Sequence, residues 1–495
     1  MKKTWVGVGI PAVVAVAGVL AIVQWMRQVA DLPAEELRVP IAQQPMLAPP
    51  AAAIQPAVSQ NAGPVPAPAP ASVPVEPFAA PPTQGAAFEA APGNWPGFRG
   101  PDFDNVSKEK IKLNRDWVKN PPKELWSVND LGEGYAAPAV EGGRVFLVDY
   151  DQAGRKDNVR CFSLADGKPL WNYAYPVEVK RNHGMSRTVP AVSGNRVVTL
   201  GPMCNVNAFE ASTGKLLWSM DLVKDYKATI PEWYAGQCPV MEAGKVILAP
   251  GGGDALMLAV NADDGKVVWT TPNPKGWAMS HSSMLPHTFK GRRMYIYASR
   301  GGLTAVDARD GKALWEFDDW PRIIADVPTP VALGEDKLFV ARAYEQGSLI
   351  LQLKEENGVL RAELVKKLPR RVFGSDQQTP VFYGGHLYGT RPPRGELVCL
   401  DADGNLKWEG GAGARFGLGP YLIADGMILA MDDRGTLVLA EAAPDGYREI
   451  ARRKMLEGSE TWGPIALAAG RLLVRDMRTE QPNSSRLICL DVEAK

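Results

Sequence analysis

The chain has 495 residues, 45% of them hydrophobic and 22% charged, so it is long and apolar enough to bury a sizeable core. Its 55 basic and 55 acidic side chains balance, which gives no net field to draw the protein to nucleic acid or to an anionic membrane surface. Its five cysteines include no CxxC pair, no adjacent pair and no zinc spacing, which argues against a disulfide framework and leaves at least one thiol free.

The N-terminus carries a targeting signal. Two lysines precede an apolar run from Trp5 to Met26, which as a helix would span about 30 Å, the thickness of a bilayer core. The sequence therefore predicts a cytoplasmic N-terminus at residues 1–4 and a transmembrane signal anchor at 5–26, which makes a single-pass inner-membrane protein whose remainder lies in the periplasm or outside the cell. A cleaved signal peptide is the alternative interpretation, because Ala15-Val16-Ala17 could serve as a cleavage site.

Residues 27–93 are dominated by Pro and Ala, as in the run from Pro64 to Pro70. A segment of this composition cannot bury a core and should populate extended polyproline II. We predict a disordered linker that tethers the following domain to the membrane.

From residue 94 onward the chain carries a repeat built on a Gly-Lys turn that is followed three residues later by Trp. Four copies of this kind end at Trp171, Trp218, Trp269 and Trp315, and a copy one residue shorter ends at Trp408. These tryptophans lie 47, 51, 46 and 93 residues apart, the last distance being two periods. A short alternating strand precedes each copy, and the dipeptide before the lysine suits the turn of a β-hairpin.

A second marker opens each unit: a proline, a few apolar residues and a glycine-containing turn. It occurs at Pro138, Pro190, Pro239, Pro330, Pro380, Pro420 and Pro464, with a disturbed copy at Pro286. Eight units fit, two of them with Asn357-Gly358 and Asp445-Gly446 at the expected turns. A period of 40 to 50 residues with four short strands is typical of a propeller blade. We therefore predict an all-β fold, an eight-bladed β-propeller over residues 94–495.

The two ends of the domain are predicted to share one blade. The last repeat stops at Asp491 without a tryptophan strand, and a lone propeller-like strand at 123–128 contains Trp126. Their pairing would close the ring and remove two exposed sheet edges. One tryptophan per blade, beside a Gly turn, is expected to pack between neighbouring blades. These structural blade-docking residues are Trp126, Trp171, Trp218, Trp269, Trp315 and Trp408.

The repeat resembles that of PQQ-like (pyrroloquinoline-quinone-like) propeller proteins, whose blades carry a tryptophan docking motif. The stretch from Trp95 to Pro101, followed by Asn105-Val106-Ser107, is similar to the opening of bacterial members. The resemblance covers about 94–495 and implies a quinoprotein-like propeller. It does not fix the function, because the family includes quinoprotein dehydrogenases as well as non-enzymatic propellers such as the lipoprotein of the outer-membrane protein assembly machinery.

Motifs for cofactors are incomplete. Asp401–Asn405 imitates the start of a calcium loop, yet a strand follows where the later ligands belong. Gly251–Asp254 lacks the Gly-Lys-Ser/Thr ending of a phosphate loop. In the enzymes that the repeat resembles, an adjacent-cysteine disulfide clamps the quinone beside calcium, and this chain has neither neighbouring cysteines nor a CxxCH haem site. We therefore predict no catalytic, cofactor-binding or metal-binding residue and no cofactor, with PQQ and calcium kept as an alternative.

The residues just before each opening proline should cluster at one mouth of the central channel. This mixture of cations, amides and aromatic rings suits a peptide or a small polar ligand, and a solvated rim is the competing interpretation. A Ser-His-Asp hydrolase is disfavoured, because side chains adjacent on a strand point to opposite faces. The residues that we predict to form this binding site are Tyr135, His183, Arg187, Trp233, Gln237, His281, Asp326, Asp376, Gln378, Arg415 and Trp462.

Two functional hypotheses follow. The favoured one is a membrane-tethered extracytoplasmic scaffold that binds an envelope protein or peptide, is attached to the inner membrane by its N-terminal helix and binds no nucleic acid. The alternative is a PQQ-dependent quinoprotein oxidoreductase.

Overall fold

The structure is a computed structural model that describes residues 93–180, 185–320, 322–344, 346–477 and 485–495. The predicted transmembrane anchor at 5–26 and all but the last residue of the predicted linker at 27–93 lie outside the described residues. Within the described ranges, no helix combines the length and the apolar character needed to cross a bilayer.

The described chain forms eight antiparallel sheets of four strands each, as predicted for an eight-bladed propeller. Blades 1 to 4 take their strands in chain order. Blade 1 contains β2 (Ala139–Glu141), β3 (Arg144–Asp151), β4 (Lys156–Ser163) and β5 (Pro169–Pro176). Blade 2 contains β6 (Ala191–Ser193), β7 (Arg196–Leu200), β8 (Asn205–Glu210) and β9 (Leu216–Asp221). Blade 3 contains β10 (Val240–Glu242), β11 (Lys245–Leu248), β12 (Met257–Asn261) and β13 (Val267–Thr271). Blade 4 contains β14 (Leu285–Phe289), β15 (Arg292–Ser299), β16 (Gly302–Asp307) and β17 (Ala313–Phe317).

Blades 5 to 7 follow the same order, and blade 8 takes its fourth strand from the start of the domain. Blade 5 contains β18 (Val331–Ala332), β19 (Lys337–Ala341), β20 (Ser348–Glu356) and β21 (Val359–Leu368). Blade 6 contains β22 (Val381–Tyr383), β23 (His386–Arg391), β24 (Glu396–Asp401) and β25 (Leu406–Glu409). Blade 7 contains β26 (Tyr421–Ala424), β27 (Met427–Met431), β28 (Thr436–Glu441) and β29 (Glu449–Lys454). Blade 8 contains β30 (Ala466–Ala468), β31 (Arg471–Asp476), β32 (Ser485–Asp491) and β1 (Lys123–Leu131).

The first strands of the blades line the central channel, and several neighbours among them touch. The helical elements of the described residues are short: α1 (Leu222–Tyr226), which Asp221 caps through its carboxylate, and a 3-10 helix at Gly411–Ala414. Apolar clusters fill the spaces between neighbouring sheets, so each blade buries its faces against the next.

The ring closes where β1 pairs antiparallel with β32, with Trp126 opposite Cys489. A buried arginine adds a second link between the first and last blades. Arg475 of β31 donates to the carbonyl oxygens of Gly132 at 2.8 Å and Val148 at 3.1 Å. Burial lowers the pKa of Arg475 to about 10.

The repeated tryptophans dock neighbouring blades. The indole N–H of Trp126, Trp171, Trp218, Trp269 and Trp408 donates to a backbone carbonyl of the following blade, at 2.9 to 3.2 Å. The ring of Trp171 also lies against Gly214 in the next Gly-Lys turn. Trp315 differs, because blade 5 has a longer hairpin. Its indole is buried against the aliphatic side chains of blade 5, among them Leu351, Leu353 and Leu360.

The cysteines that share a repeat position lie opposite these tryptophans. Cys161, Cys399 and Cys489 pair with Trp171, Trp408 and Trp126, as Ala208, Ala259 and Ala305 pair with Trp218, Trp269 and Trp315. A small residue is therefore needed beneath each indole.

The segment from Trp95 to Ser107 contacts inner strands on opposite sides of the central channel. Trp95 exchanges two 2.8 Å backbone hydrogen bonds with Val140 of β2, and Val192 of β6 donates to the carbonyl of Pro96 at 2.7 Å. On the opposite side, Ser107 donates to Ile423 of β26 at 2.8 Å. These contacts satisfy backbone groups of inner strands that would otherwise face the channel unpaired.

Arg99 holds this channel segment in place. It is 4% exposed, and its guanidinium donates to the carbonyl oxygens of Thr379 and Pro380 in blade 6 as well as to Phe103 and Asp104 in its own loop. Burial lowers the pKa of Arg99 to about 10.

Candidate functional site

One mouth of the channel is formed by the loops that lead into the first strands and by the loops between the second and third strands. All first strands run in the same direction, so the residues that precede them lie on the same face of the ring. We call this face the channel mouth.

An aromatic pair and two amides form the part of the mouth between blades 6, 8 and 1. Trp462 stacks on Tyr135 with a centroid distance of 5.0 Å and an interplanar angle of 27°. Gln377 and Gln378 each donate to the Trp462 carbonyl oxygen at 3.1 Å. The Tyr135 hydroxyl donates to Glu460, and burial together with this carboxylate raises the pKa of Tyr135.

A second aromatic group lies between blades 3, 4 and 5. The Trp233 ring is 6.1 Å from His281 and 6.2 Å from Tyr344 between centroids. Trp233 and Tyr234 both have positive φ, at 61° and 69°, a strained backbone that orients two successive aromatic side chains. Burial and the nearby Arg187 lower the pKa of His281 to about 3, so the imidazole is neutral at pH 7.

Arg187 of blade 2 lies between the two aromatic groups. Its guanidinium is 5.9 Å from the centre of the Tyr135 ring, close enough for a cation–π contact. Burial lowers the pKa of Arg187 to about 10, opposed by the phenol groups of Tyr135, Tyr344 and Tyr234. A side chain at Gly236 would lie 2.7 Å from His281 and 3.3 Å from Arg187, so a glycine is needed where these side chains approach.

Three other predicted residues support the mouth. Asp326 is 1% exposed and pairs with Arg342 at 3.2 Å, and burial raises the pKa of this carboxyl. Asp376 accepts from the Tyr344 backbone N–H at 3.1 Å. Gln237 is buried and bonds in both directions with the backbone of Ala249. We assign these side chains a positioning role.

Two predicted residues lie apart from this cluster. His183 is outside the described residues. Arg415 is exposed, and its backbone forms a bridge with Glu396 of β24, which is a third strand and not an inner one. Arg415 is therefore at the outer rim of the ring.

Several mouth residues were missing from the sequence prediction. Tyr344 and Arg342 belong to the loop between the second and third strands of blade 5, which carries no repeated marker. Glu460 and Gln377 are close in sequence to the predicted Trp462 and Gln378. They lie two residues and one residue, respectively, further from the first strand of their blade. The sequence pattern indicated only the loop before the opening proline of each blade.

Buried polar atoms remain without hydrogen bonds at the mouth. Among the described residues, no partner reaches the indole N–H of Trp462 or the hydroxyls of Thr329 and Thr461. Such groups are normally satisfied by water or by a ligand. The mouth therefore offers hydrogen-bonding groups beside aromatic rings, which suits a small polar molecule or a peptide.

The residues present do not fit a calcium-bound quinone. Within the described ranges, no group of three or more His, Cys, Asp or Glu side chains is arranged to hold a metal ion. The acid Asp326 is engaged by Arg342, and Asp376 by a backbone N–H. All five cysteines are buried free thiols, so none forms the disulfide that clamps the quinone in the enzymes of similar repeat.

A family model described as outer membrane protein assembly factor BamB matches residues 117–198 and 155–409. The outer membrane protein assembly factor BamB of Moranella endobia is 22% identical over 337 residues, which cover 66% of this chain and 70% of that protein. The quinoprotein alcohol dehydrogenase PedH of Pseudomonas putida is 26% identical over 336 residues, covering 61% of this chain and 48% of PedH. The match thus spans about half the length of that dehydrogenase.

Among solved structures, a europium-containing methanol dehydrogenase superposes with a TM-score of 0.58 and 13% sequence identity. The superposition covers 82% of this chain and 99% of that one. At this identity the likeness bears on the fold alone.

Proposed function

This chain belongs to the PQQ_2 family, described as outer membrane protein assembly factor BamB, and from that premise we propose that it is a binding scaffold of the cell envelope. In this proposal the propeller is a rigid platform, and the channel mouth binds an envelope protein or peptide. The name of its BamB relatives, which are assembly factors, supports a role in protein interaction.

The observation that carries the proposal is the convergence of Trp233, Tyr344 and Trp462, all partly exposed, on one mouth of the channel. Tryptophan and tyrosine are enriched where proteins bind partners, because they contribute large contact areas at a low cost in conformational entropy.

We also propose the location that the N-terminal sequence predicts. A helix over residues 5–26 would anchor the chain in the inner membrane, and the Pro/Ala-rich segment would hold the propeller in the periplasm. The apolar length and the preceding lysines support this arrangement.

A PQQ-dependent oxidoreductase is the second candidate, favoured by the similarity to PedH. The donor set at the mouth argues against it, because the calcium ligands and the clamping disulfide of that arrangement have no counterpart among the residues that the structure describes.

In-cell photo-crosslinking tests the scaffold proposal. A photoreactive side chain replacing Tyr344 should give a discrete adduct, and the additional change Trp233→Ala should abolish it. The same side chain at Lys290, in a turn on the opposite face, is the matched control and should give none. Identical adducts from both positions would contradict the proposal.

A titration separates the two candidates. Purified protein mixed with PQQ and calcium should show no saturable quenching of tryptophan fluorescence and no dye reduction. Stoichiometric uptake of the quinone with dye reduction would reverse the ranking in favour of the oxidoreductase.

A further inference from the structure

The overall charge balance hides a local separation of charge. Five exposed cations lie on the rim of blades 5, 6 and 7 on the mouth side: Arg371, Arg394, Arg415, Arg453 and Lys454. We call this set the basic corner. Its members are far apart in sequence, so neither net charge nor any charged run reveals them.

Backbone contacts show that the basic corner is one continuous surface. Arg391 donates to the carbonyl oxygen of Arg371 at 2.6 Å, which joins the loop after blade 5 to blade 6. Gly417 donates to the carbonyl oxygen of Arg394 at 3.1 Å, which joins the loop that carries Arg415 to blade 6.

The contacts continue into blade 7. Asp433 donates from its backbone N–H to Phe416 at 3.2 Å, and the Lys454 ammonium donates to the carbonyl oxygen of Arg434. The loops of three adjacent blades therefore present these cations side by side.

The four arginines of the basic corner have no acidic partner among the described residues, unlike most of the turn cations. Lys168, Lys266 and Lys312 each pair with the aspartate of their own turn at 2.7 to 2.9 Å. Nearby acids are already engaged: Glu396 and Glu409 by Arg391, and Glu449 by Arg452. Asp432 accepts hydrogen bonds from the backbone of its own turn.

The chemistry of the basic corner selects the kind of partner. A guanidinium presents a planar fork of N–H donors that matches the two oxygens of a carboxylate. Exposed arginines without a carboxylate partner of their own are therefore suited to bind a carboxylate of another molecule. The ion pairs of Glu396 and Glu409 with Arg391, and of Glu449 with Arg452, lie near the cations, so the surface is not the uniformly positive plane that would suit an anionic membrane. A polypeptide can place its carboxylates selectively and avoid these acids.

We propose that the basic corner docks an acidic segment of a partner protein. This is a second docking surface, separate from the channel mouth, and it deepens the proposed scaffold role by naming the charge of a partner.

Binding of labelled poly-L-glutamate to the full chain in detergent, measured by fluorescence anisotropy, tests the proposal. The variant with Arg371, Arg394, Arg415 and Arg453 all changed to Gln should bind about tenfold more weakly, and the affinity of the unaltered protein should fall as salt is added. The matched control changes four exposed arginines elsewhere to Gln, namely Arg115, Arg155, Arg309 and Arg361. This control variant has the same net charge as the corner variant, and its affinity for poly-L-glutamate should equal that of the unaltered protein.

Other outcomes separate this proposal from the scaffold proposal. Trp233→Ala should leave the binding of poly-L-glutamate intact, so a failure at the mouth does not imply a failure here. Equal losses in the two fourfold variants, or no loss in either, would overturn the docking role of the basic corner. Corner-dependent binding to phosphatidylglycerol vesicles, without binding to poly-L-glutamate, would overturn it in favour of a membrane surface.

Discussion

Each Gly-Lys turn places its glycine against an indole of the preceding blade, and two constraints act on that glycine. Gly214 has a φ of +73°, where an L side chain is strained, and an added Cβ would lie 2.6 Å from the Trp171 ring. The repeat therefore needs glycine for its backbone conformation as well as for contact between blades.

A matched pair of substitutions separates these two constraints. Gly244 has nearly the same φ, +72°, but an added Cβ there would meet nothing within 4 Å. Gly244→Ala should lower the free energy of unfolding by about 1 kcal/mol from backbone strain alone. Gly214→Ala should lower it by a further 1–3 kcal/mol, roughly, because the Trp171 indole must move. Chemical denaturation checks this, and equal losses would mean that the indole contact adds nothing.

Asp157 is a buried acid whose protonation is linked to stability. It is 1% exposed and accepts hydrogen bonds from Ser186 and Tyr175, yet burial raises its pKa to about 7. The usual pKa of an unfolded aspartate is about 3.9. The folded state therefore favours the protonated acid, and the stability that this gives is present below about pH 4 and lost as pH rises through about 7.

Asp157→Asn should remove this pH dependence. The melting temperature of the variant minus that of the unaltered protein should rise between pH 4 and pH 8. This rise corresponds to a gain in the free energy of unfolding of about 4 kcal/mol at most. Thermal melts at several pH values measure it. Asp166→Asn, which changes an exposed acid, is the control and should not reproduce the rise. A pH-independent difference for Asp157→Asn would contradict the assignment.

At the scale of strands and loops, the sequence predicts what is repeated. The tryptophan spacing and the opening prolines located eight blades, because each blade must solve the same packing problem with the same residues. The small residue opposite each indole, Cys161 or Ala208, recurs in the strand register for the same reason.

Features that occur once could not be predicted in this way. The longer hairpin of blade 5 contains the predicted Asn357-Gly358 turn, but its length depends on packing of Leu353 and Leu360 against blade 4. Tyr344 reaches the mouth from a loop without a marker, and its contact with Trp233 joins residues far apart in sequence. Side chains that depend on such contacts leave no periodic signal.

At the scale of the whole molecule, the channel segment from Trp95 to Ser107 makes the two faces of the ring unequal. It pairs with the inner strands of blades 1, 2 and 7 and is fixed to blade 6 by Arg99. The balanced net charge likewise conceals an uneven surface, since acids and bases are not distributed evenly around the rim.

Arg99→Met tests whether one side chain holds the channel segment in place. Removing a buried guanidinium that donates to four carbonyl oxygens should free the segment, at a cost of about 1.5–3 kcal/mol. Hydrogen exchange followed by mass spectrometry should show amides of β2, β6 and β26 exchanging about tenfold faster or more, because Val140, Val192 and Ile423 donate to this segment. The inner strands β10 and β18 make no such bond to it among the described residues, so their exchange should be unchanged.

Uniform acceleration in all eight blades would instead mean that Arg99 stabilises the whole ring, and unchanged exchange in β2, β6 and β26 would mean that the segment stays in place without it.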